Sequence, residues 1–412
     1  MKTARLLVPL AVGLLALVIG GTVALVHSGG GQDAGGGRVA AAPLGLAASL
    51  TAADSACETY SLTPVNRTNG TADERCLARE LYRVIAPLDD TASVLPRIDK
   101  LVGRSSGLLA GMCHVVMHEV GRRYGADRKL TLATLQNYLP RSNDPGCSGG
   151  FAHGLITSLG SEVAAVGSQA AAVCERLETR YREYTCVHGL GHAYMRVYNE
   201  SLLIALRSCE KLGARLAPDC GQGAFHDYWF SLSGADETHR PTNAVTSPRE
   251  LCGAQRDLFV RACWYRVYLE RDPGRPLADA ADLDALCSGL AGLQRAGCIT
   301  AGSVVMGGPD PYLHLKRCRP FSGPDVQACV RGVGAETLAT RPLDAQVRLV
   351  DGCRGFARRA EREECATWLA TALSVASDGR FARSGCSAVA PFARAACRAG
   401  VALVDQPLET FS

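Results

Sequence analysis

The chain has 412 residues and carries 44 Lys and Arg against 40 Asp and Glu, a formal net charge of +4. This near balance and an aromatic content of 6 % argue against the basic, aromatic-rich surfaces of nucleic-acid-binding proteins, so no nucleic-acid partner is expected. The length is sufficient for a sizeable core in one long domain or two.

The N-terminus has the pattern of a membrane signal. Residues 1–5 contain two positive charges and precede an uncharged run over 6–26. Such a run is long enough to cross a bilayer, whereas a cleaved signal peptide has a shorter apolar region and a cleavage site close behind it. We therefore predict a single-pass signal anchor in the cell membrane rather than a cleaved signal peptide, followed by a flexible linker over 27–55. Under either alternative the bulk of the chain is extracytoplasmic.

Eighteen cysteines agree with that location. No CxxC motif occurs, which argues against zinc ribbons and attached haem, so disulfides are the simpler interpretation. Fourteen of the cysteines fall into seven pairs separated by 11 or 12 residues. These pairs are Cys174 with Cys186, Cys209 with Cys220, Cys252 with Cys263, Cys287 with Cys298, Cys318 with Cys329, Cys353 with Cys365 and Cys386 with Cys397.

The cysteine pairs mark a repeat. Their first members recur every 31–43 residues, which is the period of a helix–turn–helix unit. Around the second cysteine, as in 353–373, apolar residues recur at three and four positions. We therefore predict an all-α fold of disulfide-stapled helical hairpins that stack into a solenoid or superhelical array. This arrangement is similar to that of secreted, disulfide-stapled helical repeat proteins, although the cysteine spacing differs.

We expect the array to have two parts, at 56–231 and 251–405, divided by a polar, proline-containing loop at 232–250. Four cysteines stand outside the pairs. Cys57 and Cys76 could close an N-terminal hairpin. Cys113 and Cys147 could bond each other or pair with the first two, and the spacing leaves these alternatives open.

Cys113 and Cys147 align with the second cysteines of the pairs, and we call these nine residues second-type cysteines. Histidines follow the second-type cysteines, but only in the first part of the chain. The segments read CHVVMHE from residue 113, CSGGFAH from 147, CVHGLGH from 186 and CGQGAFH from 220. They contain six of the nine histidines, namely His114, His118, His153, His188, His192 and His226. The last three lie 74, 74 and 73 residues after their counterparts His114, His118 and His153, so a set of three histidines is duplicated.

The later repeats show that packing alone does not demand these histidines. Six residues after the later cysteines stand Leu269, Val304, Ala335, Thr371 and Leu403. The shared register therefore indicates a shared role for the six imidazoles.

That role is predicted to be metal binding. Histidines four apart lie on one helix face, and packed helices approach to about 8–10 Å, so neighbouring helices can share an ion. Imidazole suits Cu, Fe and Zn. We predict two sets of three ligands, His114/His118/His153 and His188/His192/His226, each with an open position as in catalytic sites. If the two sets face each other, the ligand chemistry resembles the dinuclear type 3 copper centre of tyrosinases and haemocyanins.

Two carboxylates are candidates to orient metal-bound imidazoles, because Glu119 follows His118 and Asp227 follows His226. The favoured hypothesis is a membrane-anchored, extracytoplasmic metal-binding protein. If it is an enzyme, we expect copper or iron redox chemistry first and zinc hydrolysis second. One alternative is a non-enzymatic scaffold that binds an envelope protein or peptide, with the histidines as a polar seam. The other is a metal storage or delivery protein.

Overall fold

The fold is known from a computed structural model that describes eleven segments. They are 45–57, 67–105, 107–144, 146–175, 177–232, 245–266, 277–307, 310–334, 338, 341–377 and 379–404. The predicted n-region 1–5 and transmembrane segment 6–26 lie outside these residues. Across the described segments, no helix is both long and apolar enough to span a membrane.

Regular structure in the described residues is entirely helical, as predicted. The first ten helices are α1 (Leu46–Cys57), α2 (Arg67–Ile85), α3 (Thr91–Val102), α4 (Leu108–Asp127), α5 (Cys147–Ser158), α6 (Gly160–Val166), α7 (Ala171–Cys174), α8 (Arg180–Val197), α9 (Leu202–Glu210) and α10 (Ala217–Leu232). The next ten are α11 (Pro248–Gly253), α12 (Asp257–Arg266), α13 (Ala280–Leu286), α14 (Gly292–Gly307), α15 (Pro311–Arg317), α16 (Pro324–Arg331), α17 (Leu343–Asp351), α18 (Arg359–Ala376), α19 (Arg380–Ala388) and α20 (Arg394–Val401).

Two of the predicted boundaries are wrong. The linker assigned to 27–55 runs into α1, which is helical because Leu50 and Ala53 are buried and Asp54 Oδ1 accepts from the Leu109 amide at 2.8 Å. The loop assigned to 232–250 ends early, because α11 begins at Pro248. The side chain of Ser247 accepts from a first-turn amide there, and proline suits the first helical position.

Nine helices that carry a second-type cysteine or its equivalent form the frame of the fold; we call them the main helices. They are α4, α5, α8, α10, α12, α14, α16, α18 and α20, and each packs against the next along the chain. Between them, shorter helices carry the first cysteine of each pair at or near their C-terminal end. The row curves back on itself, because α18 also contacts α8 and the Asn143 side-chain amide donates to Ala376 O at 3.3 Å.

Nine disulfides staple this frame, and all eighteen cysteines take part. Seven of them join the cysteines that share the 11- or 12-residue spacing. These bonds link Cys174 to Cys186, Cys209 to Cys220, Cys252 to Cys263, Cys287 to Cys298, Cys318 to Cys329, Cys353 to Cys365 and Cys386 to Cys397. The other two are Cys57–Cys76, which joins α1 to α2, and Cys113–Cys147, which joins main helices α4 and α5 directly.

The second member of each of the seven pairs lies buried within a main helix. These residues are Cys186 on α8, Cys220 on α10, Cys263 on α12, Cys298 on α14, Cys329 on α16, Cys365 on α18 and Cys397 on α20. Each bond therefore ties a main helix to the shorter helical segment before it. Because every sulfur is bonded, the cysteines have a structural role and offer no thiolate to a metal ion. Disulfides persist in oxidising compartments, so this number of them indicates an extracytoplasmic protein.

Candidate metal centre

Four consecutive main helices bring all six predicted histidines into one cluster. Helix α4 supplies His114 and His118, and α5 supplies His153. Helix α8 supplies His188 and His192, and α10 supplies His226. The four histidines of α5, α8 and α10 are buried, with 1–7 % of their surface exposed, whereas the two of α4 are half-buried. The cluster therefore approaches solvent on the α4 side.

Glycines allow these helices to come close enough for their imidazoles to meet. A Cβ at Gly150 would lie 2.0 Å from His114 O, and a Cβ at Gly223 would lie 1.9 Å from His188 O. Gly150 and Gly223 are 73 residues apart, and each precedes the lone histidine of its set by three. The duplicated sequence therefore places equivalent backbones in contact, α5 on α4 and α10 on α8.

In the first set, three ring nitrogens converge. His118 Nε2 lies 3.2 Å from His114 Nε2 and 3.1 Å from His153 Nδ1. A ring nitrogen holds either one proton or one lone pair, so His118 Nε2 cannot make a good hydrogen bond to both neighbours. Nitrogens bound tetrahedrally at about 2.0–2.1 Å from a metal lie roughly 3.3–3.4 Å from one another. The observed spacing is close to that of a ligand set.

The second set repeats the arrangement of the rings. Ring centroids are 4.9 Å apart and the ring planes meet at 58° in both His114/His118 and His188/His192. His153 lies 5.0 Å from His118, and His226 lies 4.9 Å from His192, again between centroids. The sequence duplication is thus accompanied by a similar arrangement of the rings.

The two sets are in contact with each other. Ring centroids of His118 and His192 are 4.9 Å apart, and those of His153 and His188 are 4.6 Å apart. Nitrogens of His153, His188 and His192 also lie within 4.8 Å of one another, so His153 is within reach of both sets. His226 Nδ1 lies 3.5 Å from His188 Nε2. The six imidazoles form one continuous cluster. Its two groups of three nitrogens within 4.8 Å of one another are His114/His118/His153 and His153/His188/His192, so the predicted set His188/His192/His226 is not one of them.

Three buried nitrogens of the cluster have no hydrogen-bond partner among the described residues. They are His153 Nε2, His188 Nδ1 and His192 Nε2. A buried polar atom without a partner costs about 1–3 kcal/mol, and natural folds rarely tolerate several together. A bound metal ion would use lone pairs of this kind.

The electrostatics of the cluster keep most of its imidazoles in the form that binds metals. Burial, and then neighbouring imidazoles or the Arg266 charge, hold the pKa values of His118, His153, His188 and His226 well below the ordinary 6.5. These side chains are therefore neutral near pH 7, and neutral imidazole is the ligating form.

The two candidate carboxylates differ in what they contact. Asp227 Oδ1 lies 2.9 Å from His192 Nδ1, so the Nδ1 proton is donated to the carboxylate and Nε2 is the nitrogen left to face the other imidazoles. Glu119 instead accepts hydrogen bonds from Arg122 at 2.8 Å and Arg123 at 2.5 Å on the surface of α4. These contacts give no support to the role predicted for Glu119.

The sequence reasoning missed a buried polar network beside the second set. The Tyr184 ring centroid lies 5.7 Å from that of His188, and its hydroxyl donates to Gln222 Oε1 at 2.8 Å. The same oxygen accepts from Arg266 at 3.2 Å. Tyr184 and Gln222 each precede a histidine of the cluster by four residues, a helical spacing that could have identified them.

A third group of potential ligands lies in the second part of the chain. Atoms of His314, Cys318 and Cys329 are within 4.8 Å of one another. The two sulfur atoms are bonded to each other, however, so they offer no thiolate. The six-histidine cluster is therefore the stronger candidate.

No protein-family model, curated protein or solved structure matches the chain. The function has to be inferred from the geometry of the six-histidine cluster.

Proposed function

We propose that this protein is an extracytoplasmic metal-binding protein whose six histidines hold two transition-metal ions side by side. The observation that carries the proposal is the convergence of His114 Nε2 and His153 Nδ1 on His118 Nε2 at 3.1–3.2 Å, beside a second group of close nitrogens from His153, His188 and His192. The three unpartnered nitrogens inside the cluster support it.

The ligand set narrows the identity of the ion. Magnesium and calcium prefer oxygen ligands, whereas imidazole suits copper, iron and zinc. Four of the six ligands are buried, which favours a resident ion over a carrier that must release its cargo.

Among reaction classes, redox chemistry at copper or iron is supported over zinc hydrolysis. Hydrolysis at a metal usually needs a general base near the metal-bound water. Asp227 already accepts from His192, and Glu119 is paired with two arginines. Half-buried His114 and His118 leave the solvent side of the centre for a small molecule to approach.

The test is the metal content of the full-length chain, produced without a histidine tag in an oxidising compartment and measured by elemental mass spectrometry. We expect close to two equivalents of a transition metal per chain, and a large loss in the double variant His188→Ala, His192→Ala. The control is His314→Leu, which removes a buried histidine outside the cluster and should leave the metal content unchanged.

The reaction class is tested on the same sample by X-ray absorption at the metal edge, which reports the oxidation state, before and after addition of a mild reductant. A reversible change in the signal of bound copper or iron would support an oxidoreductase. Bound zinc as the native ion would overturn that class and leave the metal centre itself in place. No stoichiometric metal, even after copper, iron and zinc are offered, would overturn the metal-binding proposal and favour a scaffold.

A further inference from the structure

We infer that the two metal positions are inequivalent, and that Asp227 makes the position at His192 the tighter one, so that the centre fills in order. This inference rests on the proposed function. It comes from one sequence position at which the two duplicated histidine sets differ.

The duplicated sets differ in the residue that follows the lone histidine. Asp227 follows His226 on α10, and the position 73 residues earlier is Gly154, which follows His153 on α5. A Cβ at Gly154 would lie 2.1 Å from His118 O and 2.7 Å from the Arg122 amide nitrogen. Helices α4 and α5 are therefore too close there for any side chain, and His118 cannot receive a carboxylate from that position.

At His192, by contrast, the carboxylate is present and well placed. Asp227 is only 8 % exposed, and the oxygen that does not bond His192 lies 3.7 Å from Arg196 Nε. A carboxylate that accepts from the second ring nitrogen fixes the orientation of a ligating imidazole and raises its basicity. Its negative charge also stabilises a cation at His192 Nε2, because charges interact strongly where water is largely excluded.

The carboxylate predicted to orient His118 does not supply an equivalent charge. Glu119 is adjacent to His118 in sequence, but Arg122 and Arg123 both pair with it. Among the described residues, His118 therefore has no carboxylate partner of the kind that His192 has, and it lies on the half-buried side of the cluster. We expect the ion bound there to be the weaker and more exchangeable of the two, and the one that an external molecule reaches first.

The experiment is a stepwise zinc titration of the metal-free, full-length protein in competition with a chromophoric chelator. We expect two steps whose dissociation constants differ by at least tenfold. Asp227→Asn should weaken the tighter step by about 10- to 100-fold, the usual cost of losing such a partner, and leave the weaker step in place.

A matched pair of variants assigns the steps to positions, because His118 and His192 are equivalent residues 74 apart. His192→Ala should abolish the tighter step, and His118→Ala should abolish the weaker one. Helical circular dichroism of each metal-free variant shows whether its fold is intact.

The possible failures are distinguishable. If zinc does not bind, the same titration is made with copper and iron, and absence of binding of all three by the wild-type protein would overturn the proposed function. Two equal steps in the wild type, or a tighter step that survives in Asp227→Asn or in His192→Ala, would overturn the inference and leave the metal centre standing.

Discussion

In the first part of the row of main helices, α4, α5, α8 and α10 meet through imidazoles, whereas in the second part the main helices meet through hydroxyls. Thr300 Oγ1 on α14 donates to Ala328 O on α16 at 2.8 Å, and Ser303 Oγ donates to Cys329 O at 3.0 Å. Thr371 Oγ1 on α18 donates to Gly400 O on α20, also at 2.8 Å. Each of these buried hydroxyls finds its partner in the backbone of the neighbouring helix.

The imidazoles of the first part are not satisfied in this way. His153 Nε2, His188 Nδ1 and His192 Nε2 are buried without a partner among the described residues. In the second part His314 Nε2 is also buried without a partner among the described residues, but it is a single nitrogen, whereas the cluster brings three together. A bound ion would give these three nitrogens a partner.

Both parts use the same device to set the helix spacing. A Cβ at Gly400 would lie 2.0 Å from Thr367 O, as one at Gly223 would lie 1.9 Å from His188 O. The close approach of main helices therefore comes from glycine in both parts. The histidines are not needed for it, which is why their presence points to chemistry.

The largest expected difference between the two parts is in the sensitivity of the metal-free protein to acid. Burial, helped by neighbouring positive charge, lowers the pKa values of four cluster histidines (His118, His153, His188 and His226) well below 6.5. In the second part, burial lowers the pKa of His314 to about 3. Below pH 6.5 the unfolded chain binds protons that the folded chain does not. The stability that the neutral, buried histidines contribute is therefore fully present above pH 6.5, and the free energy of unfolding decreases as the pH falls below 6.5.

Each such histidine contributes a slope of up to about 1.4 kcal/mol per pH unit, so the four cluster histidines together contribute up to about 5.5 kcal/mol per pH unit. Urea unfolding of the metal-free protein between pH 7.5 and 5 measures how the free energy of unfolding depends on pH. His314→Leu should remove about one histidine's share of the slope, and replacing cluster histidines should remove the larger part. A free energy of unfolding that is constant over this range would contradict the expected burial of neutral imidazoles.

The glycine contacts give the next largest effect and separate helix spacing from metal binding. Gly223→Ala and Gly400→Ala should each destabilise the fold by about 2–3 kcal/mol, because the new methyl group meets a backbone carbonyl. Only Gly223→Ala should also lower the metal content. Gly111 on α4 has nothing within 4 Å of its would-be Cβ, so Gly111→Ala is the matched control and should be neutral or stabilising by up to about 1 kcal/mol. Chemical unfolding and elemental analysis of the three variants measure these effects. Equal loss of metal in Gly223→Ala and Gly400→Ala would contradict the prediction, because helix spacing far from the cluster would then affect metal binding as much as spacing beside it.

These contacts also mark the limit of what the sequence could predict. The period of the cysteines predicted the stapled hairpins, and the shared register of the histidines singled out the six residues that the fold brings together. The sequence could not predict that Asp227 meets His192, 35 residues away, or that Cys113 bonds Cys147. Such pairings depend on which face of one helix meets the next, and hydrophobic periodicity leaves that choice open.

The smallest expected effect is the change in stability when one buried polar side chain is replaced by an apolar one. The sign of this change differs between the two parts, so it tests the comparison directly. Thr371→Val removes a satisfied buried hydroxyl and should cost about 1 kcal/mol. His188→Leu removes a buried ring with an unpartnered nitrogen, so the metal-free protein should be unchanged or more stable by about 1 kcal/mol.

Bound metal should reverse the order of stability of the two variants. An ion that binds only the folded state stabilises it according to its concentration and affinity, so wild type and Thr371→Val should gain stability on loading and His188→Leu should gain less. Thermal unfolding of the three proteins, with and without the native ion, gives the change in stability of each variant relative to wild type in both states. If His188→Leu instead loses stability in the metal-free protein as Thr371→Val does, the imidazoles act as a polar seam like the hydroxyls. The two parts of the molecule would then differ only in the residues that fill the same structural role.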